Sequence, residues 1–144
     1  MQQREYPLAS SNVDNPPGTG AVNLNGLLIL LVEDSWHVGI AMERLLRACG
    51  ADVIGPAPTT ADAERLISDR APDVALVDIN LRGGERAYDL IDRLQDRGVR
   101  VVVMSGYGDV PLASGRAAAI LQKPVNDAEL LATLLPVTAN KLDR

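Results

Sequence analysis

Four short segments carry unbroken apolar stretches instead of alternating ones: LLILLV (27–32), DVALVD (73–78), VRVVVM (99–104) and AAIL (118–121). A weaker fifth, DVIG, occupies 52–55. A strand with one wet face alternates apolar and polar residues. A strand covered on both faces is apolar throughout, as in parallel sheets sandwiched between helices. The segments between the runs have helical spacing. Val38, Ala41, Met42, Leu45 and Cys49 share one face, and Gly50 stands where a helix is expected to stop. Thr59 and Asp62 suit a cap ahead of Ala63, Leu66 and Ile67. Ala87, Leu90, Ile91 and Leu94 form a third face, with Gly98 as its stop. Asp127 can cap a last helix that carries Leu130, Leu131, Leu134 and Leu135 and has Pro136 near its end. The order β-α-β-α-β-α-β-x-β-α predicts an α/β fold, a doubly wound five-stranded parallel sheet.

The core of such a domain must here be aliphatic, because the chain has no Phe, one Trp and three Tyr. Its 144 residues suit one domain. Residues 1–25, with Pro7, Pro16, Pro17, Gly18 and Gly20 among Ser and Asn, have the composition of a flexible N-terminal extension. The folded domain is expected over 26–144. A formal charge of -5 argues against a nucleic-acid surface, which is normally basic. No stretch is long and apolar enough to span a membrane, and the N-terminus does not read as a secretory signal. A lone Cys49 cannot form an internal disulfide. These features predict a soluble, cytoplasmic protein.

In open parallel sheets, functional groups collect outside the carboxyl ends of the strands. Glu33 and Asp34 directly follow the first run, and Asp78 closes the third. Ser105 follows the fourth run and Lys123 the fifth. Right-handed crossovers bring these ends to one edge of the sheet. Three converging carboxylates repel one another unless a cation compensates them. Carboxylate oxygens in small number suit Mg²⁺, which keeps several of its waters and often binds where phosphate arrives. A carboxylate can act as nucleophile and form an aspartyl phosphate. Lysine supplies a point charge to a phosphoryl oxygen, and a serine hydroxyl can hydrogen-bond another. The constellation therefore points to phosphoryl transfer.

The residues that carry this chemistry make the chain resemble the receiver domain of two-component response regulators over roughly residues 25–141. VEDS (32–35) looks like its acidic pair and VDINL (77–81) like its phosphoacceptor strand end. MSGY (104–107) looks like its hydroxyl position and QKPV (122–125) like its Lys-Pro. The resemblance implies the flavodoxin-like receiver fold. It also implies that Asp78 takes a phosphoryl group from a sensor histidine kinase or phosphotransfer protein. Asp34 and Asp78 would bind Mg²⁺ directly, Glu33 mainly through water, and Asn80 through its backbone carbonyl. Ser105 and Lys123 would hold the phosphoryl oxygens. The Lys123–Pro124 bond would be cis, the one kind of bond where that isomer is cheap.

Several departures from the pattern carry expectations of their own. The chain stops soon after the last helix, so the domain is expected to stand alone and to signal by protein contact or by a phosphorelay. It is not expected to be an enzyme beyond its own phosphorylation and dephosphorylation. Ile120 stands where the family commonly has an aromatic switch residue, and Tyr107 is the nearest substitute. His37 is the only histidine. The segment before Lys123 is short and contains Pro111, Ser114 and Gly115, which predicts a fourth helix reduced to a turn or less. Gly83 and Gly84 replace the Pro that often follows the phosphoacceptor. This combination looks like a subgroup of stand-alone receivers in α-proteobacterial sensory systems. Two alternatives are a Mg²⁺-dependent phosphatase of the haloacid dehalogenase type and a non-phosphorylated receiver-like binding module. The first normally needs a second Asp two residues after the nucleophile, where this chain has Asn80.

Overall fold

The structure is a computed structural model and describes residues 22–106 and 117–142. Its elements are β1 (Leu28–Val32), α1 (Trp36–Ala48), β2 (Asp52–Ala57), α2 (Thr60–Leu66) and β3 (Val74–Asp78). A 3-10 turn at Arg82–Gly84 follows, then α3 (Tyr88–Asp96), β4 (Arg100–Ser105), β5 (Ala119–Gln122) and α4 (Asp127–Leu142). The strands form one five-stranded sheet in the order β2-β1-β3-β4-β5, and every pairing is parallel. This is the doubly wound, flavodoxin-like arrangement that the apolar runs predict. Residues 107–116 lie outside the described residues, and with them the expected reduced fourth helix and Tyr107.

The unbroken apolar strands are explained by the two faces they serve. Ile29 and Leu31 of β1 and Leu76 of β3 pack with Leu46 of α1 and Leu130 and Leu134 of α4. Their strand neighbours Leu30, Val32 and Val77 pack on the other side with Ala63 of α2 and Leu90 and Leu94 of α3. Each apolar residue of β1 and β3 has a helix layer to meet, and only Asp78 at the end of β3 is polar.

The structure corrects the sequence reading at several places. The buried stripe of α1 is Gly39, Met42, Leu45 and Leu46, while Val38 is 42% exposed. The stripe turns toward Gly39 because Pro56 of β2 lies against that residue and leaves no room for a side chain. In α2, Ala63 and the following Ile67 are buried but Leu66 faces out, since a seven-residue helix presents only a narrow stripe. The α4 cap is Asn126, whose Oδ1 accepts from the Glu129 N–H at 2.7 Å, and not Asp127. That helix also runs on through Pro136 to Leu142, with Leu135 exposed and Val137 buried. Its far end is tied down by Lys141, which donates to Asp73 at 2.8 Å and to the Gly26 carbonyl. Finally, Leu24 is fully buried and its N–H donates to the Cys49 carbonyl at 2.7 Å. Val22 packs on the same cluster, so the core recruits residues that composition assigns to the extension.

Other expectations stand. The Thr59 hydroxyl accepts from the Asp62 N–H at 3.1 Å and caps α2. The α3 stripe Leu90, Ile91 and Leu94 is fully buried together with Ala87. Gly50 and Gly98 follow their helices with φ of 101° and 84°, the left-handed region where glycine carries no steric cost.

Candidate functional site

The carboxyl ends of β1, β3, β4 and β5 meet at one edge of the sheet. Val32 is in register with Val77, so Glu33 and Asp34 leave β1 beside Asp78, the last residue of β3. Asp78 is in register with Met104, which places Ser105 one step beyond it on β4. Ser105 is paired with Gln122, and its carbonyl accepts from the Lys123 N–H at 2.8 Å. The Lys123–Pro124 bond is cis. Glu33, Asp34, Asp78, Ser105 and Lys123 thus owe their places to the parallel register.

Glu33, Asp34 and Asp78 each offer a carboxylate oxygen, and these oxygens lie within 4.8 Å of one another. Asp78 is 1% exposed and Glu33 3%, an unusual depth for two acids. Lys123 compensates part of this charge. Its Nζ donates to Asp78 Oδ2 at 2.8 Å and lies 4.0 Å from Glu33 Oε1. The other Asp78 oxygen, Oδ1, accepts from the Asn80 N–H at 3.0 Å. Glu33 Oε2 accepts from the Ser35 N–H at 3.1 Å. Its Oε1 is buried without a hydrogen-bond partner among the described residues.

Protonation follows from this geometry. Burial pushes the Glu33 carboxyl up to about 7, opposed by the Ser35 N–H and Lys123 and assisted by the Asp78 and Asp34 charges. Burial alone would lower the Lys123 ammonium. The hydrogen bond to Asp78 and the charges of Glu33, Asp78 and Asp34 outweigh it and hold the ammonium above its ordinary value. A buried acid oxygen without a donor, in a cluster of three acids and one lysine, is a place that lacks positive charge. The donor set is all oxygen, which fits a hard divalent cation such as Mg²⁺.

Beside the carboxylates, a cavity of about 470 Å³ is lined by Glu33, Val38, Met42, Met104, Lys123 and Pro124. Trp36, at the start of α1, is 69% exposed next to the acidic pair. Of the residues flagged as departures, His37 is exposed on α1 and Ile120 is 52% exposed on β5. Sequence reasoning missed two contacts behind the site. The Glu85 carboxylate binds Thr60, and Gly39 packs on Pro56.

The family model described as the response regulator receiver domain matches residues 29–135. The chain belongs to that family. As a receiver it is similar to the phyllosphere-induced regulator PhyR of Methylorubrum extorquens, at 30% identity over 110 residues. That match takes in 74% of this chain but 41% of the relative, so the receiver spans well under half of the regulator's length. Among solved structures, SdrG from Sphingomonas melonis Fr1 is 26% identical, with a TM-score of 0.65 over 81% of this chain and 98% of that one. The receiver domain of Erythrobacter litoralis PhyR is 23% identical, with a TM-score of 0.67 over 79% of this chain and 91% of that one, and shares the fold. Receiver domains are regulators, so the family does not favour the dehalogenase-type phosphatase. No helix among the described residues is long and apolar enough to cross a membrane.

Proposed function

We propose that this receiver accepts a phosphoryl group on Asp78, from a histidine kinase or phosphotransfer protein, in a Mg²⁺-dependent reaction. It then signals by contact with a downstream protein or by passing the group on. The observation that carries the reading is the buried cluster itself, with Glu33, Asp34 and Asp78 oxygens within 4.8 Å and Lys123 at 2.8 Å from Asp78. Such a cluster is electrostatically expensive even with Lys123 beside it, which is the mark of a site built for a ligand.

In this reading an Asp78 oxygen attacks the phosphorus of a phosphohistidine. The P–N bond breaks and its electron pair leaves on the imidazole nitrogen. Asp34, Asp78 and the Asn80 carbonyl would hold Mg²⁺, and Glu33 would act on it through water. Bound there, the cation would neutralise charge on the phosphoryl oxygens. Lys123, held charged by its acidic neighbours, would move its hydrogen bond from Asp78 to a phosphoryl oxygen, and Ser105 would donate to another. The test is phosphorylation by acetyl phosphate, read by intact-protein mass spectrometry. The wild type should gain one phosphoryl adduct with Mg²⁺ present, and Asp78→Asn, which keeps nearly the same volume, should gain none. An adduct of equal yield on the Asn variant would move the site elsewhere, with His37 the first suspect.

A further inference from the structure

After Asp78 the chain does not run straight into α3. It folds back as a short hairpin, in which the Leu81 N–H donates to the Glu85 carbonyl at 2.9 Å and the Ala87 N–H to the Ile79 carbonyl at 3.1 Å. These bonds flank Asn80 and Arg86, which face each other as an antiparallel pair. In a pair of this kind the ladder bonds belong to the neighbours, so Asn80 turns its own N–H and C=O to the opposite edge. Its N–H reaches Asp78 Oδ1 at 3.0 Å. The carbonyl of an extended residue points to the same edge as its N–H, so the hairpin aims the Asn80 carbonyl toward the carboxylates.

Two glycines stand at the tip of the hairpin. Gly83 and Gly84 turn there with φ of 75° and 79°, and a Cβ on either would meet nothing within 4 Å. At the base of the hairpin Ile79, Leu81 and Ala87 are buried in the core, and nearer the tip Glu85 adds a polar tie. Its Oε1 accepts from the Thr60 N–H at 3.1 Å and its Oε2 from the Thr60 hydroxyl at 2.7 Å. Thr60 opens α2, where Thr59 satisfies the Asp62 N–H and Glu85 the Thr60 N–H, so the carboxylate ties the hairpin to the start of that helix.

We propose that Glu85 is a positioning residue for the divalent cation: by gripping Thr60 it anchors the hairpin that aims the Asn80 carbonyl. The proposal rests on the cation reading given above and adds to it a residue that touches no ligand.

The test is a Mg²⁺ titration of the full chain by isothermal calorimetry, with melting curves in EDTA to follow folding. Glu85→Ala should weaken Mg²⁺ binding about tenfold, the lower end of what groups behind a metal ligand contribute. Glu85→Gln should stay within about twofold, because its amide oxygen accepts from the Thr60 N–H while its NH₂ donates to the hydroxyl. Thr60→Val, which keeps the N–H and loses the hydroxyl, should fall between. A Glu85→Ala protein that melts lower yet binds Mg²⁺ like the wild type overturns the proposal and leaves the cation reading standing. Should that variant fail to fold, Thr60→Val decides, and an affinity equal to wild type overturns the proposal. Asp34→Asn is titrated alongside. If the wild type binds no Mg²⁺, or Asp34→Asn binds it equally well, the cation reading fails and this proposal with it.

Discussion

The Lys123 ammonium donates to the Asp78 carboxylate at 2.8 Å, across the strand that lies between them in the sheet. One positive charge thus occupies the place where three acids converge, and it competes with any cation that would bind there. Lys123→Ala should leave Mg²⁺ affinity unchanged or raise it, whereas Asp34→Ala should weaken it. Trp36, beside the acidic pair, allows both to be followed by fluorescence titration. A Lys123→Ala protein that loses the metal would contradict this division of roles.

The Glu33 carboxyl, pushed up to about 7, makes metal-free stability depend on pH with a defined sign. An acid whose pKa is higher folded than unfolded binds more protons in the native state, so stability falls as pH rises. The loss should start near the ordinary value of 4.5 and level off above about 7. At about 1.4 kcal/mol per pKa unit, it amounts to a few kcal/mol at most. Urea unfolding in EDTA across this window, compared between wild type and Glu33→Gln, isolates the contribution. The difference in stability should grow in favour of the Gln variant with rising pH. A difference that stays constant would mean that Glu33 does not titrate there.

Gly39→Ala should destabilise the fold even though alanine is the better helix former. The gain in helix propensity is about 1 kcal/mol. Against it, the new Cβ would lie 2.9 Å from Pro56 Cβ and 3.0 Å from its Cγ, and a proline ring on a sheet strand has little freedom to withdraw. Overpacking of this kind costs about 1–3 kcal/mol, so a net loss of about 1 kcal/mol is expected in equilibrium denaturation. A stabilised variant would show that β2 can shift at its edge.

The parallel sheet was legible because its cause is local: strands buried on both faces must be apolar throughout, and the acids that end them stand out. The cluster of Glu33, Asp34, Asp78 and Lys123 followed from strand ends alone. What remained hidden depends on which neighbour each residue meets. Whether Val38 or Leu46 of α1 enters the core is decided by Pro56 pressing on Gly39, a contact between elements that spacing does not encode. Asn126 and Asp127 are both good capping residues, and the helix starts so that the first caps it and the second falls in its first turn. Pro136 reads as a helix end, yet the helix continues, with Lys141 of its last turn fastened to Asp73. The Glu85 grip on Thr60 joins residues distant in sequence through a loop without periodicity, so no pattern announces it.

The Lys123 N–H donates to the Ser105 carbonyl at 2.8 Å, which makes the lysine and the hydroxyl residue two points on a single rung of the sheet. The two main chains are therefore held in step before anything enters the gap, as two hinges are when screwed to one post. What swings is the lysine stem, whose flexible carbons let its charge leave Asp78 without disturbing the strand that carries it.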